Sequence, residues 1–405
     1  MPERQRVVAI LISGMTNSAL LMAYAGPAWS ETPNLNVGTI DLKPYVLQQL
    51  DEGTTFDQSR NGGQAAGFNL RRSRVGVLAD VAHQLQLGFI WDFGGTPGNT
   101  SRIFQADATY TGLKPFVLKA GVFKPSFTLE YAQSAADILF LERASIVNIV
   151  GGAVAGAGRV GGEVGATGER WFAAALLTGG LTGHGANSDQ HALLGRVAGL
   201  ALKTDNVSLH LGVSGAWLYH PPNPGDQGQS LSFSNQPELA IDDAPAPLST
   251  GRIAARAARM GGIEAGLGLG RLWAQGELYG IDVQLRDGGQ SGPLSGYYVQ
   301  AAYTLVGKPR VWKSETASWG SPKPAVSFDP RHGAWGALEI GARFSTADLN
   351  AGDIRGGREV VWTTGLSWYP VEPLRVSLQY EHADISGGST PRTLSAVAIR
   401  GQLRF

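Results

Sequence analysis

Stretches in which every second residue is apolar recur along almost the whole chain, and that repeat constrains the fold more than any other feature. Side chains alternate across a β-strand, so a period of two gives one oily face and one wet face. In VSLHLGVSGAWLY, Val207, Leu209, Leu211, Val213, Trp217 and Tyr219 share one face, while Ser208, His210, Ser214 and Ala216 share the other. HQLQLGFIWDF sets Leu85, Leu87, Phe89, Trp91 and Phe93 against Gln84, Gln86 and Asp92. LRVSLQYEH sets Leu374, Val376, Leu378 and Tyr380 against Arg375, Ser377, Gln379 and Glu381. The final residues, LSAVAIRGQLRF, carry the pattern out to Phe405, with Ala396, Ala398, Arg400, Gln402 and Arg404 on the opposite face.

Such runs predict about sixteen strands of roughly ten residues, the rhythm of a transmembrane β-barrel. The run over 252–269 is ambiguous, because the alanines of RIAARAARM suit a helix as well. Short connections alternate with long ones. GLKP, TGER, TDN, GLGRL and YPVEP are brief, whereas 126–157, 220–250 and 307–333 are long and rich in Pro, Gly and Ser. Barrels with short turns at one rim and long loops at the other sort their connections in this way. Aromatics near strand ends, Trp217 with Tyr219, Trp368 with Tyr369 and Tyr297 with Tyr298, suit interfacial girdles. On this pattern oily side chains face lipid and wet ones face a water-filled lumen.

No segment approaches the roughly 18 consecutive apolar residues of a membrane-spanning helix. The 33 basic and 33 acidic side chains leave no positive surplus for nucleic acid. The absence of cysteine excludes disulfides and thiolate metal sites. Residues 1–30 read as a signal peptide: Arg4 and Arg6 precede the apolar VVAILISG, and Ala23-Tyr24-Ala25 or Ala28-Trp29-Ser30 supplies a small-residue cleavage site. Export without a spanning helix leaves two options, a soluble secreted protein or an outer-membrane barrel. A barrel must pair its last strand with its first, which suits a final strand running out to an aromatic. The expected fold is all-β, a closed antiparallel transmembrane β-barrel over 31–405, set in outer-membrane lipid, with no cofactor and no metal.

Three stretches carry a family resemblance. GLKPFVLKAGVFKPSFTLEYAQSAADILFLERA, residues 112–144, holds a Gly-x-Phe-Lys-Pro-type turn and then SxxDxxFxER. The region 332–385 holds a Gly-Gly-Arg-Glu opening, a Tyr-Pro turn and a His-Ala-Asp ending. LRRSRVGVLADV, residues 70–81, is an Arg-rich early strand. Together they resemble the phosphate-selective porins of Gram-negative outer membranes. The resemblance implies a homotrimer with one pore per subunit, each narrowed by an inward-folded loop, here 126–157. It also implies passive diffusion of small hydrophilic solutes or of anions such as phosphate. Phe405 resembles the terminal signal read by the barrel-assembly machinery.

Rings of Arg or Lys attract anions and rings of Asp or Glu attract cations. The alternation nominates Arg72, Arg74, Lys119, Arg343, Arg375, Arg400 and Arg404 as lumen-facing, and Lys124 and Arg143 flank the constriction loop. The lumen also collects Asp92, Asp107, Glu277, Glu339, Glu359 and Glu381, so the sequence shows no net positive pore. Glu142 beside Arg143 reads as an ion pair fixing the loop or as part of a ligand site. A general porin therefore stands beside an anion-selective one, and a barrel enzyme or a soluble carbohydrate-binding protein stands behind both. GAGRVG at 156–161 has dinucleotide-type spacing but precedes a strand, where that fingerprint needs a helix. HGANSDQH at 184–191 has ligand-type residues in a polar loop. His382 and Asp384 sit at a strand end and are expected to lack a nearby serine nucleophile, which argues against a catalytic triad.

Overall fold

The computed structural model describes residues 34–57, 63–95, 101–156, 158–182, 189–224, 228–241, 246–388 and 391–405. Residues 1–30 and His184 lie outside them, and with them the proposed signal peptide and most of HGANSDQH. Sixteen long strands run antiparallel round one sheet. They are β1 Ile40–Asp57, β2 Gly63–Val81, β3 Leu85–Asp92, β4 Arg102–Tyr110, β5 Phe116–Phe123, β6 Arg159–Thr167, β7 Trp171–Leu181 and β8 His191–Lys203. The circuit continues through β9 Val207–His220, β10 Ile253–Leu269, β11 Leu272–Leu285, β12 Gln290–Val306, β13 Ala337–Ala351, β14 Ile354–Tyr369, β15 Leu374–Ser386 and β16 Arg392–Arg404. β16 closes on β1, from Leu47 opposite Arg404 to Asp57 opposite Leu394. Val46 and Phe405 exchange both backbone hydrogen bonds, at 2.9 and 3.2 Å, beyond the end of that ladder.

The ambiguous run over 252–269 is β10, paired along its length with β9 and β11. Cross-strand pairing overrides the helical preference of its alanines. Across neighbouring strands the outer face is continuous oil: Leu211, Val213, Ile263, Leu278 and Val299 are each at least half exposed. Trp217 and Tyr219 both stay outside, but the pairs of adjacent residues divide, because neighbours in a strand point to opposite faces. Tyr297 is outside while Tyr298 is wholly buried inside, and Tyr369 is buried.

The connections sort less cleanly than the sequence suggests. The segments 124–158 and 221–252 lie at one rim, the loop end. The long segment 307–336 follows β12 and lies at the other rim, with the short turns after β2, β4, β6, β8, β10 and β14. It folds upward into the barrel. Its hairpin pairs Trp312–Lys313 with Ser318–Trp319, and Trp319, 1% exposed, packs edge-on against His210 and Trp273.

The expectation of a wet interior holds for only part of the wall. The loop 124–158 enters the lumen and carries α1, Leu129–Ala132, and α2, Ser145–Val154. The apolar sequence of α2, SIVNIVGGAV, needs an apolar partner. It finds one on the inner wall of β7 to β12, where Phe172, Leu176, Leu194, Leu218, Met260, Ile281 and Leu294 join Ile146, Val147, Ile149 and Val150 in one buried cluster. Gly296 permits the approach, since a Cβ there would meet Ile146 at 2.9 Å. The barrel thus has a sealed, greasy side under β7–β12 and a polar side under β1–β5.

Arginine at Val213, in the middle of the outer face of β9, is expected to lower stability by about 2–4 kcal/mol, the cost of placing that cation at the bilayer midplane. Urea unfolding of the protein in lipid vesicles measures it.

Candidate functional site

An irregular loop inside a barrel has backbone groups that no strand satisfies, and each must find a partner. The wall and the two other long segments provide them with charged side chains, Glu238 coming from 221–252 and Arg310 from 307–336. Glu277 accepts from the amides of Leu129 and Glu130, both at 2.8 Å, at the start of α1. Glu238 accepts from the amide of Ser145 at 3.0 Å, at the start of α2. Guanidinium groups bind the carbonyls between the helices. Arg310 reaches Asp137 at 2.8 Å, Arg375 reaches Ile138 at 2.7 Å, Arg400 reaches Leu141 at 2.5 Å and Arg343 reaches Glu142 at 3.0 Å.

Three nominated arginines are therefore fasteners away from the open side. Arg343 is buried between Glu238 and Glu130, Arg375 is spent on loop carbonyls and Ser367, and Arg400 forks onto Asp51 at 2.6 Å through both nitrogens. Arg404 joins a junction built on Asp137, which is 2% exposed. That carboxylate accepts from Arg404 at 2.5 Å, Lys313 at 2.9 Å and the Ser321 hydroxyl at 2.8 Å. Asp137 thereby clamps the loop from one rim, the segment from the other and the last strand together. Burial works to raise its pKa, and Arg404 and Lys313 outweigh that and hold it below the usual carboxylate range.

The open side holds a cavity of about 510 Å³ between the loop and β1–β5. Five nominated residues line it: Arg72, Arg74, Lys119, Lys124 and Arg143. Three more cations that alternation missed join them, Arg71, Arg102 and Lys313, against only three acids, Asp92, Asp137 and Glu142. Arg71 was hidden by a bulge. Gln49 pairs with Arg72 and Leu50 with Leu70, so Arg71 is an extra residue and turns inward beside Arg72. Lys313 was hidden because it arrives on the upturned segment.

The cations of this wall differ in their pairing. Arg74 binds Asp92 at 2.7 Å and Lys119 approaches Asp107 at 3.4 Å. Glu142 pairs with Arg71, Arg72 and Arg400 and not with its sequence neighbour Arg143. Lys124 and Arg143 make no ion pair among the described residues. Lys124 donates to the carbonyls of Tyr131 and Gln133 at 2.5 and 2.8 Å. Arg143 donates to those of Glu130 and Gln133 at 3.0 and 3.1 Å and lies over the Tyr131 ring. One carbonyl oxygen, that of Gln133, thus holds two cations, which sit no farther apart than those two bonds laid end to end. Burial, then Arg143, Arg74 and Arg72, push the Lys124 pKa well below the usual lysine value.

Of the acids that balanced the sequence count, Asp92 alone lines this cavity. Glu277 on β11, Glu339 on β13, Glu359 on β14 and Glu381 on β15 are all buried away from it, and Arg310 forks onto Glu339 at 2.7 Å through two nitrogens. The other sequence motifs resolve simply. GAGRVG leads from α2 into β6, the reverse of a dinucleotide-binding order. A serine does stand beside His382: the Ser395 hydroxyl is 3.0 Å from Nδ1, with Asp384 3.5 Å from Nε2. The backbone at Ser395 is held between β1 and β15 in the ladder, so this rim cluster offers no spare amides to stabilise an oxyanion.

The family model for phosphate-selective porin O and P matches residues 48–405. Porin O of Pseudomonas aeruginosa is 24% identical over 426 aligned positions, covering 91% of this chain and 93% of that protein. The anion-selective porin of Comamonas acidovorans superposes with a TM-score of 0.56 at 11% identity, over 90% of this chain and all of that one. The trimer form of OmpT from Vibrio cholerae gives 0.53 at 11% identity, over 91% of this chain.

Replacing Asp137 by Ala is expected to loosen the junction by about 1–3 kcal/mol, the cost of stranding its donors. Limited proteolysis should then cut within 307–336 of the folded barrel, and single-channel recordings should show added open-channel noise.

Proposed function

Since the chain belongs to the phosphate-selective porin O and P family, and is an outer-membrane porin through which small solutes diffuse passively, we propose that its pore selects anions and that phosphate is the preferred class. The observation that carries this reading is the Lys124–Arg143 pair on the Gln133 carbonyl, two uncompensated cations in a cavity with eight basic and three acidic side chains. A charge that has no counterion in the protein takes one from solution. Fixed cations in a narrow lumen raise the local anion concentration and exclude cations. Arg offers a planar fork to an oxyanion and Lys a compact point charge, so the pair suits phosphate as well as chloride.

In this reading Arg72, Arg74, Lys119, Lys124 and Arg143 form the anion path with Arg71, Arg102 and Lys313, and the loop 126–157 is the constriction. Arg343, Arg375, Arg400 and Arg404 contribute by fixing the loop. The working form is a homotrimer in outer-membrane lipid, exported by the signal at 1–30 and inserted by the assembly machinery that reads Phe405. The general porin remains the second reading, and one measurement separates the two. In a KCl gradient across a planar bilayer the reversal potential should favour chloride, whereas a potassium-favouring potential rejects anion selection and leaves the channel standing.

Lys124→Gln and Arg143→Gln should each lower the chloride-over-potassium permeability ratio by roughly two- to tenfold. The lowered Lys124 pKa gives a pH signature. The ammonium is charged below its pKa, so raising the pH discharges it before an ordinary lysine would lose its proton. Chloride preference should therefore fall as the pH rises through that lowered pKa, before the usual lysine range is reached, and Lys124→Arg should remove that fall.

A further inference from the structure

Three groups lining the cationic cavity, Asp92, Asp137 and Glu142, have the wrong sign for an anion path. Glu142 projects from the bend between α1 and α2 into the cavity. Arg71 meets it as a fork, Nε to Oε1 at 2.7 Å and Nη2 to Oε2 at 3.0 Å. Arg72 adds Nη2 to Oε2 at 3.0 Å, and Arg400 adds Nη2 to Oε1 at 3.2 Å. Arg400 is already neutralised by Asp51. Arg71 and Arg72 have no other carboxylate among the described residues, and Arg72 otherwise donates only to Gln49 at 2.6 Å. Without Glu142 they would be two bare guanidinium groups facing the lumen.

The carboxylate is not the loop's only fastening at this point. The Leu141 amide donates to Gln379 at 2.9 Å, the Leu141 carbonyl accepts from Arg400, and the Glu142 carbonyl accepts from Arg343. The backbone is pinned on both sides, and the side chain is free for another task. A carboxylate edge and a phosphate edge present the same pair of oxygens to a guanidinium fork.

We propose that Glu142 is a tethered anion, resident in an oxyanion cradle formed by Arg71 and Arg72, and that it competes with permeating anions and so shortens their stay there. This rests on the anion-selective reading above and adds a residue that sets affinity against throughput. Conduction needs a site favourable enough to enter and weak enough to leave. A free two-arginine cradle in a confined lumen would hold a phosphate too long, and a permanent competitor of fixed local concentration corrects that. Burial works to raise the Glu142 pKa, and Arg71, Arg72 and Arg400 overcome it and hold it well below the usual range, so the competitor stays charged.

The test uses the full-length protein in planar bilayers, with inorganic phosphate as the blocker of chloride current. Glu142→Gln keeps the shape and removes the charge. Its half-blocking phosphate concentration should fall by about tenfold relative to wild type, with longer blocked dwells and chloride steps retained. Glu142→Asp keeps the charge and withdraws it by one methylene, so block should tighten by a smaller factor. Adding Arg71→Gln to Glu142→Gln should return the blocking concentration to wild type or above. Unchanged or weaker block in both single variants overturns the proposal. So does loss of chloride steps in Glu142→Gln alongside wild-type block in Glu142→Asp, which would make the carboxylate a loop fastener. The wild-type reversal potential tests the anion reading separately, because it does not depend on the ratio between variants.

Discussion

The structure depends on one constraint: an irregular loop can lie inside a barrel only if the wall satisfies its backbone. Strands have already paired their own amides and carbonyls, so the wall must use side chains. Here carboxylates take the amides at the two helix starts, and guanidinium groups take the carbonyls from Asp137 to Glu142. Charge-assisted bonds to backbone of this kind must first offset the cost of burying the charged group. Their value is geometric, since each fixes one point at a helix start or on the irregular stretch between the two helices.

That bookkeeping also sorts the charges. The chain as a whole is neutral, with 33 charges of each sign. The loop splits the lumen, and four of the inward acids, Glu277, Glu339, Glu359 and Glu381, are buried on β11 and β13–β15, away from the cavity. The open side keeps a surplus of cations, two of which, Lys124 and Arg143, make no ion pair among the described residues. A neutral composition therefore hides a polarised interior. Like charges gathered on one wall would repel, and the Gln133 carbonyl dipole, the Tyr131 ring face under Arg143 and the few resident acids are what make the arrangement tolerable.

How much of this the sequence discloses follows from the range of each signal. Alternation is local, so strand positions and the inward residues of β3, β9 and β15 were legible from it. It fails wherever one residue is added, and the bulge at Arg71 cost the reading a cation that shares its carboxylate with Arg72. It also cannot say what an inward residue will meet. Arg74 and Arg375 both point inward, yet one lines the cavity paired with Asp92 and the other is consumed by the carbonyls of Ile138 and Leu139. Loop length did not reveal that 307–336 belongs to the turn end, because rim assignment depends on counting strands by parity and not on the character of the loop. The greasy inner wall under β7 departs from the general expectation that inward side chains are wet. Phe172, Ala174 and Leu176 look like a second oily face until α2 is placed against them.

The clamp at Asp137 shows why the narrowing has two origins. A loop hung from one rim and fixed only to the wall could swing about its ends, as a beam does on two hinges. Contact with a segment rising from the other rim supplies a third support, and Asp137 joins Lys313, Ser321 and Arg404 in a single buried carboxylate. The support also has a chemical consequence. Lys313 is half exposed, so its ammonium serves the clamp and the lumen at once. The same charge that holds the constriction in place adds to the field an anion meets there, and neither role can be altered without the other.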